Sequence, residues 1–275
     1  MSDQNAERPP AEVWDSADFY DSYVGRWSRL VAGEFLAWLA VPAGGRWLDV
    51  GCGTGALSRS ILDLAQPATV LGVDPSEHYV VHARARIANP ITRFAVGDAR
   101  ALPVADGAFD AAVSGLVLNF VPAADQGQAI AAMARAVRGG GIVAAYVWDY
   151  AGGMELIRHF WDAAVLTNPT ARDLDEGRRF PLCRPDALAT LFRGNGLADV
   201  VVRAIDVPTV FRGFDDYWAP FLGGQGPAPG YTMSLREDRR AVLGDLLRSR
   251  LPCAPDGSIH LTAGAWAVRG TRAPR

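Results

Sequence analysis

An α/β protein built on a doubly wound, mostly parallel sheet is the fold class this sequence predicts, on three observations. From residue 46 onward, short apolar runs alternate with stretches whose apolar residues recur at helical spacing. The first apolar run stops at a glycine-rich turn, WLDVGCGTG at 47–55. The chain has 275 residues, 49% of them hydrophobic, enough to bury a sizeable core.

The elements follow in order. Residues 18–39, DFYDSYVGRWSRLVAGEFLAWL, carry aromatic and apolar residues at helical spacing and predict a helical cap ahead of the sheet. RWLDV (46–50) is a strand and ALSRSILDLA (56–65) a helix; TVLGVD (69–74) and SEHYVVHARARIA (76–88) repeat the pair. TRFAVG (92–97), FDAAVSG (109–115) and GGIVAAYVW (140–148) are three further strands. Between them lie a short turn at ARALP (99–103) and a helix over 123–137, which the glycines at 139–141 are expected to end. The rhythm then loosens through GMELIRHFWDAAV (153–165), and a helix follows over PDALATLFRGNG (185–196). DVVVRAIDV (199–207) and SIHLTAGAWAV (258–268) are the last two strands. The segment between them, about 208–257, holds FDDYWAPF, the flexible GGQGPAPG and a charged helix over 234–251, and is expected to be a lid near the ligand end. The whole reads as one domain: cap at 1–42, cofactor-binding half at 43–150, substrate-side half at 151–275.

Composition excludes several chemistries. The net charge is -3, from 27 basic and 30 acidic residues spread throughout, so nothing global points to nucleic acid or an anionic membrane. All 27 basic residues are arginine; a chain without lysine forms no Schiff base, holds no pyridoxal phosphate covalently and completes no P-loop. Cys52, Cys183 and Cys253 are too few and too scattered for a disulfide framework, a tetrahedral zinc site or an iron-sulfur triplet. The polar start, and the lack of an apolar run of the ~20 residues that span a bilayer, predict a cytoplasmic protein.

In doubly wound sheets, ligands bind where the first strand turns into its helix. Gly51, Gly53 and Gly55 sit at that turn, where a missing Cβ lets a ligand approach the main chain. Gly51, Gly53 and Ala56 also satisfy the dinucleotide fingerprint, and Asp74 stands near where its ribose-binding acid belongs, so an NAD(P)-dependent oxidoreductase is the alternative. Asp49 counts against it, because a carboxylate two residues before the first glycine repels a pyrophosphate and favours a cation. Asp49 has a second reading, orienting the glycine loop through its N–H groups.

With DVGCGTG, LGVDPSEHYV and VGDARALPVADGAFDAAVSG in that order, the sequence resembles the class I S-adenosylmethionine-dependent methyltransferases over roughly residues 46–150. The resemblance implies a Rossmann-like, seven-stranded sheet with an antiparallel last strand. It also implies S-adenosyl-L-methionine as cofactor and S-adenosyl-L-homocysteine as product. By it, the turn around Asp49, Gly51, Cys52, Gly53 and Gly55 holds the methionine part. Asp74, followed by Ser76, takes the ribose hydroxyls, Pro75 lies against adenine, Asp98 accepts from the adenine amino group, and the Ala99 N–H faces the ring. Ser114 to Leu116 end the fourth strand near the methionine part. Tyr20 and Arg26 are candidates for its carboxylate, since a guanidinium offers paired donors. In layout the chain is similar to the ubiquinone and menaquinone C-methyltransferase-like group.

An activated sulfonium leaves the protein mainly to hold an acceptor in line and exclude water, so no triad or metal cluster is needed. Candidate acceptor residues follow the strand ends: Asn119 and Phe120, then Trp148, Tyr150 and Met154, with Trp161 nearby and Tyr217, Trp218 and Phe221 in the lid. Their aromatic character points to a small apolar or aromatic acceptor, although an aromatic stripe at helical spacing also suits a core. His159 is the one candidate general base. His78 and His82, spaced i, i+4, have no third metal ligand in view and read as a surface pair. Enzymes that methylate exocyclic amines of bases carry a polar residue, two prolines and an aromatic after the fourth strand, where this chain has LNFVP. The arginines at 236, 239, 240, 248 and 250 are interrupted by Glu237, Asp238 and Asp245, so a solvated face is expected there rather than a nucleic-acid surface.

Overall fold

A computed structural model describes residues 25–224 and 226–274. Seven strands form one sheet in the order β3-β2-β1-β4-β5-β7-β6. They are β1 (Arg46–Val50), β2 (Thr69–Asp74), β3 (Thr92–Val96), β4 (Phe109–Gly115), β5 (Val137–Trp148), β6 (Leu197–Phe211) and β7 (Ile259–Arg272). β1 pairs in parallel with β2 on one side and β4 on the other, which places the topological switch point at their carboxyl ends. β7 runs antiparallel to both β5 and β6, as expected of the last strand.

Helix α1 (Arg26–Leu39) packs against β6 and β7, while α2 (Ala56–Leu64), α3 (Glu77–Arg86) and α4 (Gln126–Ala136) cover the cofactor-side strands. α1 turns Trp27, Val31, Phe35 and Leu39, each four residues apart, into the core, with Phe35 4.8 Å from Tyr146 of β5. After β5 come α5 (Glu155–Thr167), the short α6 (Glu176–Arg179) and α7 (Pro185–Gly194), the last packed against α4, β6 and β7. The insertion between β6 and β7 holds α8 (Phe214–Trp218), α9 (Pro227–Ser234) and α10 (Glu237–Arg250).

Three strand boundaries differ from expectation, one of them the end of β7, which runs to Arg272, four residues past its apolar run. The glycines at 139–141 do not end a helix: β5 begins at Val137, and Phe109 pairs with Val137 while Ala111 pairs with Ile142, so residues 138–141 form a bulge opposite Asp110. A methyl at Gly141 would lie 3.0 Å from the Asp110 carbonyl, which is why glycine stands there. β6 runs four residues further than the apolar run suggests, because alternation continues through Ile205, Val207, Thr209 and Phe211, all buried. The insertion therefore starts after Phe211. It is pinned to α5, where Phe221 stacks on Phe160 at 4.6 Å and the Tyr217 hydroxyl donates to the Leu156 carbonyl at 2.9 Å. Among the described residues no helix is long and apolar enough to cross a membrane.

Candidate functional site

The three glycines of the first turn stand there for different reasons. All have positive φ: 75° at Gly51, 51° at Gly53 and 89° at Gly55. A methyl at Gly51 would sit 2.5 Å from the Val117 side chain, and one at Gly55 would sit 2.7 Å from Ile87, so both positions are closed by packing. Among the described residues nothing lies within 4 Å of a methyl at Gly53. Bare main chain meets open space at that residue.

Asp74 straps this turn to the next. Its Oδ2 accepts from the Gly53 N–H and its Oδ1 from the Ser76 N–H, both at 2.9 Å. Each oxygen keeps a lone pair for a further donor, the arrangement a diol needs. Ser76 caps α3, accepting from the Tyr79 N–H, and Pro75 between the two is exposed.

Asp49 is fully buried. Ser58 Oγ donates to its Oδ2 at 2.7 Å, while its Oδ1 has no partner among the described residues. Burial, and secondarily the charge of Asp74, push its carboxyl up to about 7. It does not bond to the glycine-turn N–H groups; that task falls to Asp74. The Cys52 thiol beside it is buried and shifted upward, first by burial and then by both carboxylates.

Asp98 is half-exposed and caps the turn at Ala99–Ala101. Arg100 pairs with it at 2.6 Å and with Asp125 at 2.8 Å, and the Arg100 hydrogen bonds hold the Asp98 carboxyl down at about 2. An adenine amino group at Asp98 would have to share that carboxylate with Arg100.

At the end of β4, the Ser114 hydroxyl is buried and donates to the Val50 carbonyl at 2.9 Å, tying β4 to β1. It is a sheet contact, not a ligand group. Leu116 has φ 62°, a strained conformation for a branched residue, of the kind that clusters at ligand-binding ends. Val117, against Gly51, leads directly into a turn at Leu118–Phe120 that opens on a cavity of about 460 Å³. Asn119 and Phe120 line it with Gln126 on one wall, Arg179, Phe180 and Leu182 on another, and Gly224 and Pro227 of the insertion close a third.

The other acceptor candidates are not brought to this cavity. Trp148, Met154, Trp161, Tyr217 and Phe221 are core residues, at most 2% exposed. Trp218 packs against Gly244 of α10 and Phe214. Tyr150 stands behind Phe180, their rings 5.5 Å apart. His159 is half-buried on α5 and does not line the cavity. Arg26 lies over Trp27 and Phe211 and pairs with Asp216 of α8 at 3.4 Å. That is the end of β6, four strands from β1, so the structure sets it beside the insertion and away from the glycine turn. Tyr20 lies outside the described residues. Residue periodicity does not single out Arg179, Phe180 or Gln126; the only signal is an aromatic between arginines and prolines in RRFPLCRP.

The arginines of α10 and of its N-cap are partly spent internally: Arg240 donates to the Thr232 and Leu235 carbonyls, the capping Arg236 pairs with Asp238, and Arg248 lies over Phe214. No cluster of three or more metal-ligating side chains occurs among the described residues.

A methyltransferase-domain family model matches residues 48–141, the stretch from β1 through the bulge of β5. A 2-methyl-6-phytyl-1,4-hydroquinone methyltransferase of Synechocystis is 29% identical over 72% of this chain and 62% of its own length. The chain thus spans less than two thirds of that relative. A demethylmenaquinone methyltransferase of Roseiflexus castenholzii is 31% identical over 62% of this chain and 75% of its own. The chain belongs to the class I S-adenosylmethionine-dependent methyltransferases. Among solved structures, the YcgJ protein of Bacillus subtilis superposes with a TM-score of 0.58 at 17% identity, covering 91% of this chain and all of the other, a likeness of fold.

The residues present fit this family's cofactor. Open space over Gly53, an unpartnered buried carboxylate oxygen at Asp49 and spare acceptor capacity on Asp74 suit a cation joined to a ribose better than a diphosphate.

Proposed function

We propose that this methyltransferase-family protein moves a methyl group from S-adenosylmethionine to a small acceptor with an apolar or aromatic body, bound in the cavity beside β4. The single observation that carries the reading is the packing of Val117 against Gly51, which sets the cavity-lining turn at Leu118–Phe120 directly beside the glycine turn, where a methyl at Gly53 would meet none of the described residues. The sulfonium of the cofactor supplies an already activated methyl group. What the chain contributes is placement. Asp74 takes the ribose hydroxyls while keeping its grip on the Gly53 and Ser76 N–H groups, and Pro75 and Ala99 flank adenine. Asp49 supplies negative charge from beneath the turn, and the anchored insertion keeps water from the cavity. Phe120 and Phe180, 5.3 Å apart and edge to face, offer the acceptor an apolar, aromatic wall. The relatives' own names, a phytyl-hydroquinone and a demethylmenaquinone methyltransferase, agree with a ring-bearing acceptor. Three free cysteines accord with a reducing, cytoplasmic setting, and the continuous sheet with a single domain.

Calorimetric titration with S-adenosylmethionine, S-adenosylhomocysteine and NAD tests the reading. Binding of the first two and not the third is expected. Saturable NAD binding with neither of the others would overturn it.

A further inference from the structure

Within the methyl-transfer reading above, on which this inference rests, the cavity beside β4 holds a buried donor that the described fold does not use. Asn119 is 7% exposed, lines the cavity, and has an Nδ2 with no partner among the described residues. A buried amide donor left unpaired is costly unless a ligand supplies the acceptor. Gln126, the other side-chain amide among the described lining residues, is engaged. Its Nε2 donates to the Leu118 carbonyl at 3.4 Å and to the Val121 carbonyl at 3.1 Å, clamping the short turn on both sides of Asn119. Both amide hydrogens of Gln126 are thereby used, and the turn that carries Asn119 is held in place by them.

The same turn sets where the donor stands. Val117 packs on Gly51, and Asn119 follows two residues later, a reach of at most about 7 Å along the chain. The amide therefore belongs to the end of the cavity beside the glycine turn, the end from which a methyl group would come. The neighbouring wall is apolar: Phe120 meets the edge of Phe180 at 5.3 Å, and Leu174, Leu182 and Pro227 lie in the same lining. A pure hydrocarbon bound here leaves the amide unpaired. A flat apolar molecule bearing an oxygen pairs it while keeping its body on the aromatic wall.

We propose that Asn119 orients the acceptor, its amide donating to a carbonyl or hydroxyl oxygen that the acceptor carries close to the atom it presents to the cofactor. That one bond selects which edge of the apolar body faces the glycine turn.

The test uses acetophenone and α-methylstyrene, two neutral molecules of one shape in which a carbonyl oxygen is exchanged for a methylene. Both are titrated by ligand-observed NMR into the full chain loaded with S-adenosylhomocysteine, as wild type and as Asn119→Leu. Neutral probes keep the charge of Arg179, another lining residue, out of the comparison. The ratio of ketone to alkene affinity is expected to fall about five- to tenfold in the variant, the range of one hydrogen bond. Because leucine replaces an amide whose Nδ2 has no partner among the described residues, the melting temperature should hold or rise. A marked fall would make that amide a structural bond and overturn the proposal. In wild type with isotope-labelled asparagine, the Asn119 side-chain N–H signal, assigned from its own backbone, should move downfield with the ketone and not with the alkene. An unchanged affinity ratio, a signal indifferent to the ketone, or no ketone binding to the loaded protein also overturns the proposal. Failure of S-adenosylhomocysteine itself to bind brings down the methyl-transfer reading as well. Its binding alongside an unchanged ratio brings down only the role of Asn119.

Discussion

Replacing Asp49 by asparagine tests whether the first turn is prepared for a positive charge. The wild-type carboxyl titrates at about 7 against an ordinary 3.8, because it is fully buried and near Asp74. That difference weighs against the ionised form by about 4 kcal/mol. Below pH 3.8 the group is protonated in folded and unfolded chains alike and costs nothing. Between there and pH 7 the unfolded chain releases the proton and the folded chain keeps it, so stability falls as pH rises; above about 7 the full cost is present. Asp49→Asn removes the charge and keeps an acceptor for Ser58, but it puts an N–H where Oδ1 now has no partner, at a cost of ~1 to 3 kcal/mol. The ligand-free variant should therefore be more stable than wild type at pH 8 by roughly 1 to 3 kcal/mol, a melting-temperature rise of roughly 2 to 10 °C for a chain of this size. At pH 4 that gain should vanish or reverse. Calorimetric binding supplies the second half: the preference for the cationic cofactor over its uncharged product should fall by about five- to thirtyfold in the variant, as expected for one lost counter-charge. An unchanged pH slope of stability would refute the burial argument. An unchanged cofactor-to-product ratio would refute the assignment of a cation above Asp49.

The two glycines of the same turn should separate by experiment. Gly51→Ala meets Val117 at 2.5 Å and should lower stability by several kcal/mol, of order 2 to 4, whereas Gly53→Ala meets none of the described residues and should cost only about 1 kcal/mol for its φ while weakening cofactor binding at least tenfold. Thermal melts and calorimetry on both variants decide it, and equal effects on binding and folding in the two would defeat the distinction. Asp74→Ala leaves the Gly53 and Ser76 N–H groups without their acceptor and should cost about 1 to 3 kcal/mol of stability together with cofactor affinity; retained affinity would remove Asp74 from the ribose site. Glu176, buried and hydrogen-bonded by the Trp161 indole, has its carboxyl pushed up to about 7, chiefly by burial. Its raised value makes stability fall between about pH 4.5 and 7, so Glu176→Gln should flatten that limb by up to about 3 kcal/mol, measured by denaturant titration across pH. Phe160→Ala removes the ring stacked on Phe221 and should destabilise by about 3 to 5 kcal/mol.

The sheet is legible in the sequence because its signals are local. Alternation of apolar runs, a glycine turn after β1 and an acid ending β2 each need only neighbouring residues, and the antiparallel last strand comes with the family resemblance. The acceptor side is less legible. Tyr217, Trp218 and Phe221 carry the composition of a pocket and the helical spacing of a core, and packing against α5 and α10 decides for the core. Periodicity does not say which face of a lid is the inner one. The residues that do line the cavity, Arg179 at the end of the four-residue α6 and Phe180 just after it, belong to no run long enough to show a period, and only the tertiary fold sets Phe180 opposite Phe120. The bulge at 138–141 escapes the sequence for a related reason: three glycines suit both the end of a helix and a chain passing close to another backbone, and the Asp110 carbonyl that demands the second is 31 residues away (141 − 110) in sequence.

Val117 touches the underside of Gly51 and roots the turn that shapes the neighbouring chamber. Any displacement of one compartment's floor is therefore transmitted to the other's wall by a single isopropyl group. Occupancy of the two compartments should be energetically linked, and by reciprocity whatever the first occupant does to the affinity of the second, the second must return in equal measure.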